Sequence, residues 1–453
     1  MREIEIFQEA RTWFRKGEDM IETGMENSDE QAEMFRKAIE ILPDFFEAHY
    51  NLGLIYINRS KMKEAAAEFE TVLRLEPNFN PDIYYLLGAA YRETGNIEKS
   101  IDALENGLRR KPDDLGMLKA LGHLQLQTGR DDAAIAALQR VIAADPIDVA
   151  ARIDLALLYH KKDEIEKAAA EYREALAINP ENFTARYNLG LIYARQRKMA
   201  EAADEFDKAR VIEPGNAELL ERLGDARTHL NQHILAADAY QAAVNQTGGD
   251  AKLLLPKLGF SLANDGRIPA AIEVLEKAVG LDAKNSDSWF LLGDLYSGSG
   301  KSEEAINAYR KSLALRPDQK ELRLNLGVLY AEKEMYAEAM AELRQAVALD
   351  SKYASAWSNI ALVAEKLDEE KEAIAAHEKL IALGKGTAYN YFHLGVLYAK
   401  NDQPDKSIDA FAKAIELEPV KYREILKDEL INVRSVLDSV RFQKRFNDLL
   451  SPK

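Results

Sequence analysis

Residues 183–216 read FTARYNLGLIYARQRKMAEAADEFDKARVIEPGN. Leu189, Gly190 and Tyr193 share one face at helical spacing, and Ala202, Phe206 and Ala209 form a second apolar period further on. Pro214 stops that second helix, because its ring removes a donor and disfavours helix in the residue before it. The stretch predicts a helical hairpin whose two helices cross at small residues.

The same hairpin recurs along the chain. With Gly190 taken as position 8, small residues return at Gly53, Gly88, Gly122, Ala156, Gly224, Gly259, Gly293, Gly327, Ala361 and Gly395. Eight of the ten intervals are 34 residues, and two, Gly53 to Gly88 and Gly224 to Gly259, are 35. Pro43 and Pro419 stand 376 residues apart, the length of eleven repeats with those two insertions, so the register is kept throughout. Position 20 is small again at Ala65, Ser100, Ala134, Ala168, Ala202, Ala236, Ala271, Ala305, Ala339, Ala373 and Ser407, which lets two backbones approach closely. Position 27 is small at Ala175, Ala209, Ala243, Ala278, Ala346 and Ala414, where it suits contact with the next repeat.

Larger residues keep the same register. Position 7 is apolar from Leu52 to Leu394, and position 11 is tyrosine at Tyr56, Tyr91, Tyr159, Tyr193, Tyr296, Tyr330 and Tyr398. Position 24 supplies a knob from the second helix: Phe69, Leu104, Leu138, Tyr172, Phe206, Tyr240, Leu275, Tyr309, Leu343 and Phe411. Thr94-Gly95-Asn96, Thr128-Gly129-Arg130 and Asp265-Gly266-Arg267 mark turns between helices, and Pro77, Pro112, Pro146, Pro180, Pro214, Pro317 and Pro419 close repeats. Repeats ending near Gly248-Gly249, Ala283, Ser351 and Lys385 lack that proline, which predicts looser or recessed junctions there.

This small-8, small-20, Pro-32 pattern resembles the tetratricopeptide repeat family over about nine-tenths of the chain. Related 35-residue RNA-binding repeats share the helix pairing, but the 34-residue period and the acidic balance favour the protein-binding family. The resemblance implies an all-α fold, a right-handed α-α superhelix or solenoid of about twelve hairpins, making more than one superhelical turn. Residues 1–45 read as a degenerate N-terminal capping repeat, with Trp13, Gly17, Thr23-Gly24, Phe35, Ala38 and Pro43 nearly in place and two extra residues around Glu26 to Glu30. Residues 46–420 are eleven tandem repeats. Residues 421–453 are expected to be C-terminal capping helices, from apolar periods at Tyr422 to Val433 and Val440 to Leu450. The run Val436-Leu437-Asp438-Ser439-Val440-Arg441-Phe442 is similar to closing segments after other bacterial repeats of this family.

Composition narrows the partners. Sixty basic against 76 acidic side chains give a net charge of −16, which disfavours nucleic acid because phosphate binding needs clustered Lys and Arg. There is no cysteine, hence no disulfide, thiolate ligand or thiol nucleophile. No apolar stretch reaches spanning length and the start has no apolar leader core, so a cytoplasmic location without membrane insertion is expected.

Three features invite a chemical reading. Gly298-Ser299-Gly300-Lys301-Ser302 imitates the end of a phosphate-binding loop, but Leu295 stands where the template needs glycine, and the register puts the segment in a helix-helix turn. Asp225, His229 and His233 are four apart, a metal-ligand spacing on an unbroken helix, yet position 16 starts the second helix and turns His233 elsewhere. His49, His123, His160, His377 and His393 are scattered over different repeats without a partner set, so no catalytic group, metal site or cofactor is expected.

In the family the first helices line the concave surface, with positions 2, 5, 6, 9, 12 and 13 inward. The resemblance implies a partner-binding groove offering Asn51, Asn188, Asn325 and Asn359 at position 6. An asparagine amide both donates to and accepts from a peptide backbone, a use known in the repeat region of protein O-linked N-acetylglucosamine transferases. Tyr50, Tyr85, Tyr187, Phe290 and Phe392 at position 5, with Phe260, are candidate anchors for a partner or packing groups between first helices. The family's carboxylate clamp for chaperone tails requires Asn at position 9, which no repeat has. The expected function is a non-enzymatic scaffold or adaptor that holds an extended or helical segment of other proteins, with self-association through exposed repeat faces. The alternative is a non-catalytic repeat subunit associated with a glycosyltransferase or other enzyme, since the chain after Pro419 is too short for a catalytic domain.

Overall fold

The structure is a computed structural model that describes residues 2–22, 24–247, 251–433 and 440–450. Thr23, the Gly248-Gly249 junction and the Val436 to Ser439 part of the closing run lie outside the described residues. Among the described residues the regular elements are twenty-six α-helices and no strand, an all-α array of helical hairpins. The chain divides into two compact units, Met1–Ala226 and Arg227–Lys453.

Each repeat within residues 46–420 pairs two helices, the second the longer by one to three residues in all but Ala354–Lys366 with Glu370–Ala382, as in Phe183–Arg195 with Met199–Ile212 in the first unit and Ser286–Gly298 with Ser302–Leu315 in the second. Asp114, Asp148, Asn182 and Asn285 start first helices by accepting the N–H three residues on, satisfying a donor the helix leaves open. Each hairpin turn within residues 46–420 passes through one left-handed residue at position 15. That residue is glycine at Gly95, Gly129, Gly266 and Gly300, but Ser60, Asp163, Arg197, Asn231, Glu334, Asp368 and Asp402 elsewhere. The following N–H closes the helix end, as where Lys198 N donates to Tyr193 O at 2.9 Å.

Packing explains the small residues. A Cβ at Gly190 would sit 2.5 Å from Phe206 Cε1, and one at Gly53 2.6 Å from Phe69 Cε1, so position 8 is the socket for the position-24 knob. Position 20 closes the same crossing. Its alanines, Ala65 to Ala373, are fully buried, and the two serines turn their hydroxyls onto the facing backbone, Ser100 Oγ to Gly88 O at 2.6 Å and Ser407 Oγ to Gly395 O at 2.7 Å.

Two sets of polar ties join hairpins. At position 4 a side-chain donor reaches the carbonyl six residues earlier, in the loop from the preceding repeat. Arg152, Arg186 and Arg323 bond Pro146, Pro180 and Pro317, His49 bonds Pro43, and Trp289 and Trp357 bond Ala283 and Ser351 at 3.0 Å. The proline-free junctions at Ala283 and Ser351 are thus tied in the same way as those at Pro43, Pro146, Pro180 and Pro317. The arginines also pair with a glutamate on the second helix of their hairpin, Arg186 with Glu205 at 2.8 Å between side chains 15% and 12% exposed. Arg186→Ala is expected to cost about 1 kcal/mol, since Glu205 Oε2 and the Pro180 carbonyl lose their shared donor while Lys208 still holds Glu205 Oε1 at 2.9 Å. Urea titration followed by circular dichroism measures it, and a loss below a few tenths would remove the tie.

The second set uses position 11. Tyr91, Tyr296 and Tyr398 donate their hydroxyls to Glu70, Glu276 and Glu378 of the preceding repeat, and Gln139 Nε2 donates to Tyr159 Oη at 3.0 Å. A lysine covers the ring: Lys99 lies 5.0 Å from Tyr91, Lys167 5.3 Å from Tyr159 and Lys406 5.2 Å from Tyr398.

Candidate protein-interaction site

The asparagines at position 6 are half-buried, and three are held alike. Asn51, Asn188 and Asn359 each donate Nδ2–H to the carbonyl one turn back, Glu47, Thr184 and Ser355, at 3.0, 2.8 and 2.9 Å. This bond fixes the amide plane and leaves the carbonyl oxygen without a partner among the described residues. Asn325 differs: its Nδ2 faces Asp294 Oδ1 at 3.4 Å, and Tyr309 Oη donates to the same oxygen at 2.6 Å. Burial raises the Asp294 pKa, and these two bonds only partly offset it. Asp294 also lines a cavity of about 530 Å³ with Pro269, Ile272, Leu295 and Gly298.

The aromatic candidates separate by what stands opposite them. Tyr50, Tyr187, Phe290 and Phe392 lie against ring knobs of their own hairpins, Phe69, Phe206, Tyr309 and Phe411, with centroids 6.2, 6.0, 6.4 and 5.8 Å apart. Phe392 also meets Tyr422 at 5.4 Å and is 9% exposed, which withdraws it into the core. Tyr187 stacks on Phe183, and burial, then the Glu218 carboxylate, push its hydroxyl pKa up to about 12. Tyr85 stays 43% exposed because its hairpin carries leucine, Leu104, as the knob. Phe260 is equally exposed and meets the His233 ring edge-on at 6.1 Å.

Two histidines read as scattered are brought together in the second unit, which corrects that expectation. His377 occupies position 24 of its repeat, the place of an apolar knob, and is fully buried. Its Nε2 lies 2.9 Å from Glu365 Oε1, and His393 Nδ1 lies 3.0 Å from Glu365 Oε2. Asn390 Oδ1 accepts from the N–H and hydroxyl of Thr387, at 2.9 and 2.8 Å, so its Nδ2 donates to His377 Nδ1 at 3.3 Å. The His377 proton therefore sits on Nε2, donated to Glu365. The signal in the sequence was the one gap in the row of apolar knobs.

The other two chemical candidates resolve as turns. Gly298 ends a helix, Ser302 begins the next, and Gly300 between them has φ +75°. His229 ends one helix and His233 begins another, and among the described residues no group of His, Cys, Asp and Glu is arranged to hold a metal ion. Among the same residues no helix is long and apolar enough to cross a membrane.

Sequence models described as tetratricopeptide repeat match residues 46–79, 85–149, 290–354 and 388–421, and one described as TPR repeat matches 156–196, together more than half of the chain. The chain belongs to the tetratricopeptide repeat family. Proteins of this family generally bind other proteins and are typically non-catalytic, and the chain is a protein-interaction scaffold in that general sense. No curated protein sequence matches it. Among solved structures it is similar to YrrB, described as a TPR protein with an unusual peptide-binding site, at 28% identity over 44% of this chain and 100% of that one, TM-score 0.40. It is also similar to MamA, at 24% identity over 38% and 94%, TM-score 0.36, and to MamA from Desulfovibrio magneticus RS-1, at 23% over 38% and 96%, TM-score 0.34.

Proposed function

We propose that the first helices carrying Asn51 and Asn188 in the first unit, and those carrying Asn325 and Asn359 in the second, line groove surfaces that hold an extended or helical segment of a partner protein. The observation that supports this reading most is the shared pose of Asn51, Asn188 and Asn359, each with one N–H spent on its own helix and its carbonyl oxygen open. A pre-oriented acceptor captures a backbone N–H with little loss of side-chain freedom. Tyr85 in the first unit and Phe260 in the second are exposed rings on first helices and serve as anchors. In this reading residues 1–45 and 421–453 cap the eleven repeats; burial of Tyr422, Leu426 and Phe446 against Phe411 supports the second cap.

The test is a displayed pool of random peptides selected on the full chain, with the winners titrated against Asn188→Ala and Asn359→Ala. Each substitution is expected to weaken the peptides that use its repeat about tenfold, in line with loss of a desolvated hydrogen bond, without changing helicity. Unaltered affinity in both variants would remove the asparagines from the binding surface.

A further inference from the structure

Four repeats lack the position-11 tyrosine, with Gln125, Arg227, Leu262 and Ala364 there, and of these Gln125 alone faces a glutamate at position 25 of the preceding repeat. Position 11 of the hairpin Leu115–Gln127 and Asp131–Ala144 is Gln125. Its neighbour at position 25 of the preceding repeat is Glu105, the counterpart of Glu70, Glu276 and Glu378, and it makes no hydrogen bond or ion pair among the described residues. The lysine lid is missing too, since position 19 is Ala133 and Arg130 is engaged with Glu98. In place of ring and lid there is a cavity of about 360 Å³, lined among others by Glu105, Leu108, Leu121, Gln125 and Ala133. Gln125 is 5% exposed, and its Oε1 is buried without a hydrogen-bond partner.

We propose that this cavity receives the tyrosine side chain of a partner polypeptide, its hydroxyl donating to Glu105 and its ring lying on Leu108 and Leu121. The chain itself displays the complex: at Tyr91, Tyr296 and Tyr398 the same architecture encloses a phenol whose hydroxyl meets a position-25 carboxylate. At Gln125 the receptor is present and the ring is not. Glu105 supplies an acceptor where phenylalanine offers no donor, so the site discriminates by the hydroxyl rather than by the ring alone. Positions 11 and 25 are not among those that line the groove, so this is a second site for protein partners, in the first unit.

The experiment follows the methyl resonances of Leu108 and Leu121 in the full chain during titration with acetyl-Gly-Tyr-Gly-amide at millimolar concentration. A saturable shift is expected, at least fivefold weaker for the phenylalanine peptide. Glu105→Leu should reduce the tyrosine peptide to the phenylalanine level, and Gln125→Tyr should abolish the response. Gln125→Tyr should also raise the unfolding midpoint by about 3 °C, because the added ring fills its own receptor. The proposal is overturned if no saturable shift occurs, if Gln125→Tyr responds like the unsubstituted chain, if p-cresol binds and the peptide does not, or if Gln125→Tyr lowers the midpoint.

Discussion

Gly190→Leu is expected to lower the stability of the first unit by about 3 kcal/mol, the upper end of the range for overpacking a closed interior. A Cβ at Gly190 already falls 2.5 Å from the Phe206 ring, and Phe206 is 1% exposed, so neither partner has space to yield. Phe206→Ala alone should cost about 3 to 5 kcal/mol through the cavity it leaves. The informative case is the pair: in Gly190→Leu with Phe206→Ala, the leucine enters the vacated socket and the combined loss falls short of the sum by about 1 to 3 kcal/mol. Strict additivity in denaturant titrations would show that positions 8 and 24 do not share one space.

Acidification is expected to remove about 3 kcal/mol from the second unit through a single carboxyl. Burial would raise the Glu365 pKa, but the hydrogen bonds from His377 and His393 outweigh it and take the group from 4.5 to about 2. A carboxyl that titrates lower in the folded chain contributes fully above its unfolded pKa and loses that contribution as the pH falls through its folded one. The loss therefore develops between about pH 4.5 and pH 2. The magnitude follows from the shift and is an upper figure, because the side chain is 23% exposed. Glu365→Gln should be less stable than the unsubstituted chain at pH 6 and nearly as stable at pH 2. Two stability curves that stay parallel across that interval would sever the carboxylate from its histidines.

Backbone sterics were legible from the residues alone, and side-chain exchange was not. Gly190, Ala202 and Pro214 announce their structure because few other residues fit a helix crossing or a helix stop, so their spacing carried the hairpins directly. The position-4 tie was hidden because His49, Arg186 and Trp289 do the same job with three different chemistries. The His377 and Glu365 pair was half legible: the gap in the row of position-24 knobs marks His377 as inward-facing, but its partner lies on the other helix of the hairpin and no spacing names it. The candidate groove was readable as a row of asparagines, whereas the back-bonding that orients them depends on the carbonyl four residues earlier. At position 5 the residue type did not decide exposure. The knob across the hairpin did, leaving Tyr85 open beside Leu104 and covering Tyr187 with Phe206.

The left-handed turn residues have a bearing on how the chain breathes. Aspartate and asparagine tolerate that conformation, but Arg197 at φ 60° and Glu334 at φ 61° carry a full side chain there, at about 1 kcal/mol each relative to glycine. In an array whose stability is a sum of local and nearest-neighbour contributions, the least favourable bend decides where fraying begins. The turns around 60 and 197 in the first unit and around 334 in the second are thus built-in weak elbows, at which amide protons should exchange ahead of those in the glycine-turned hairpins.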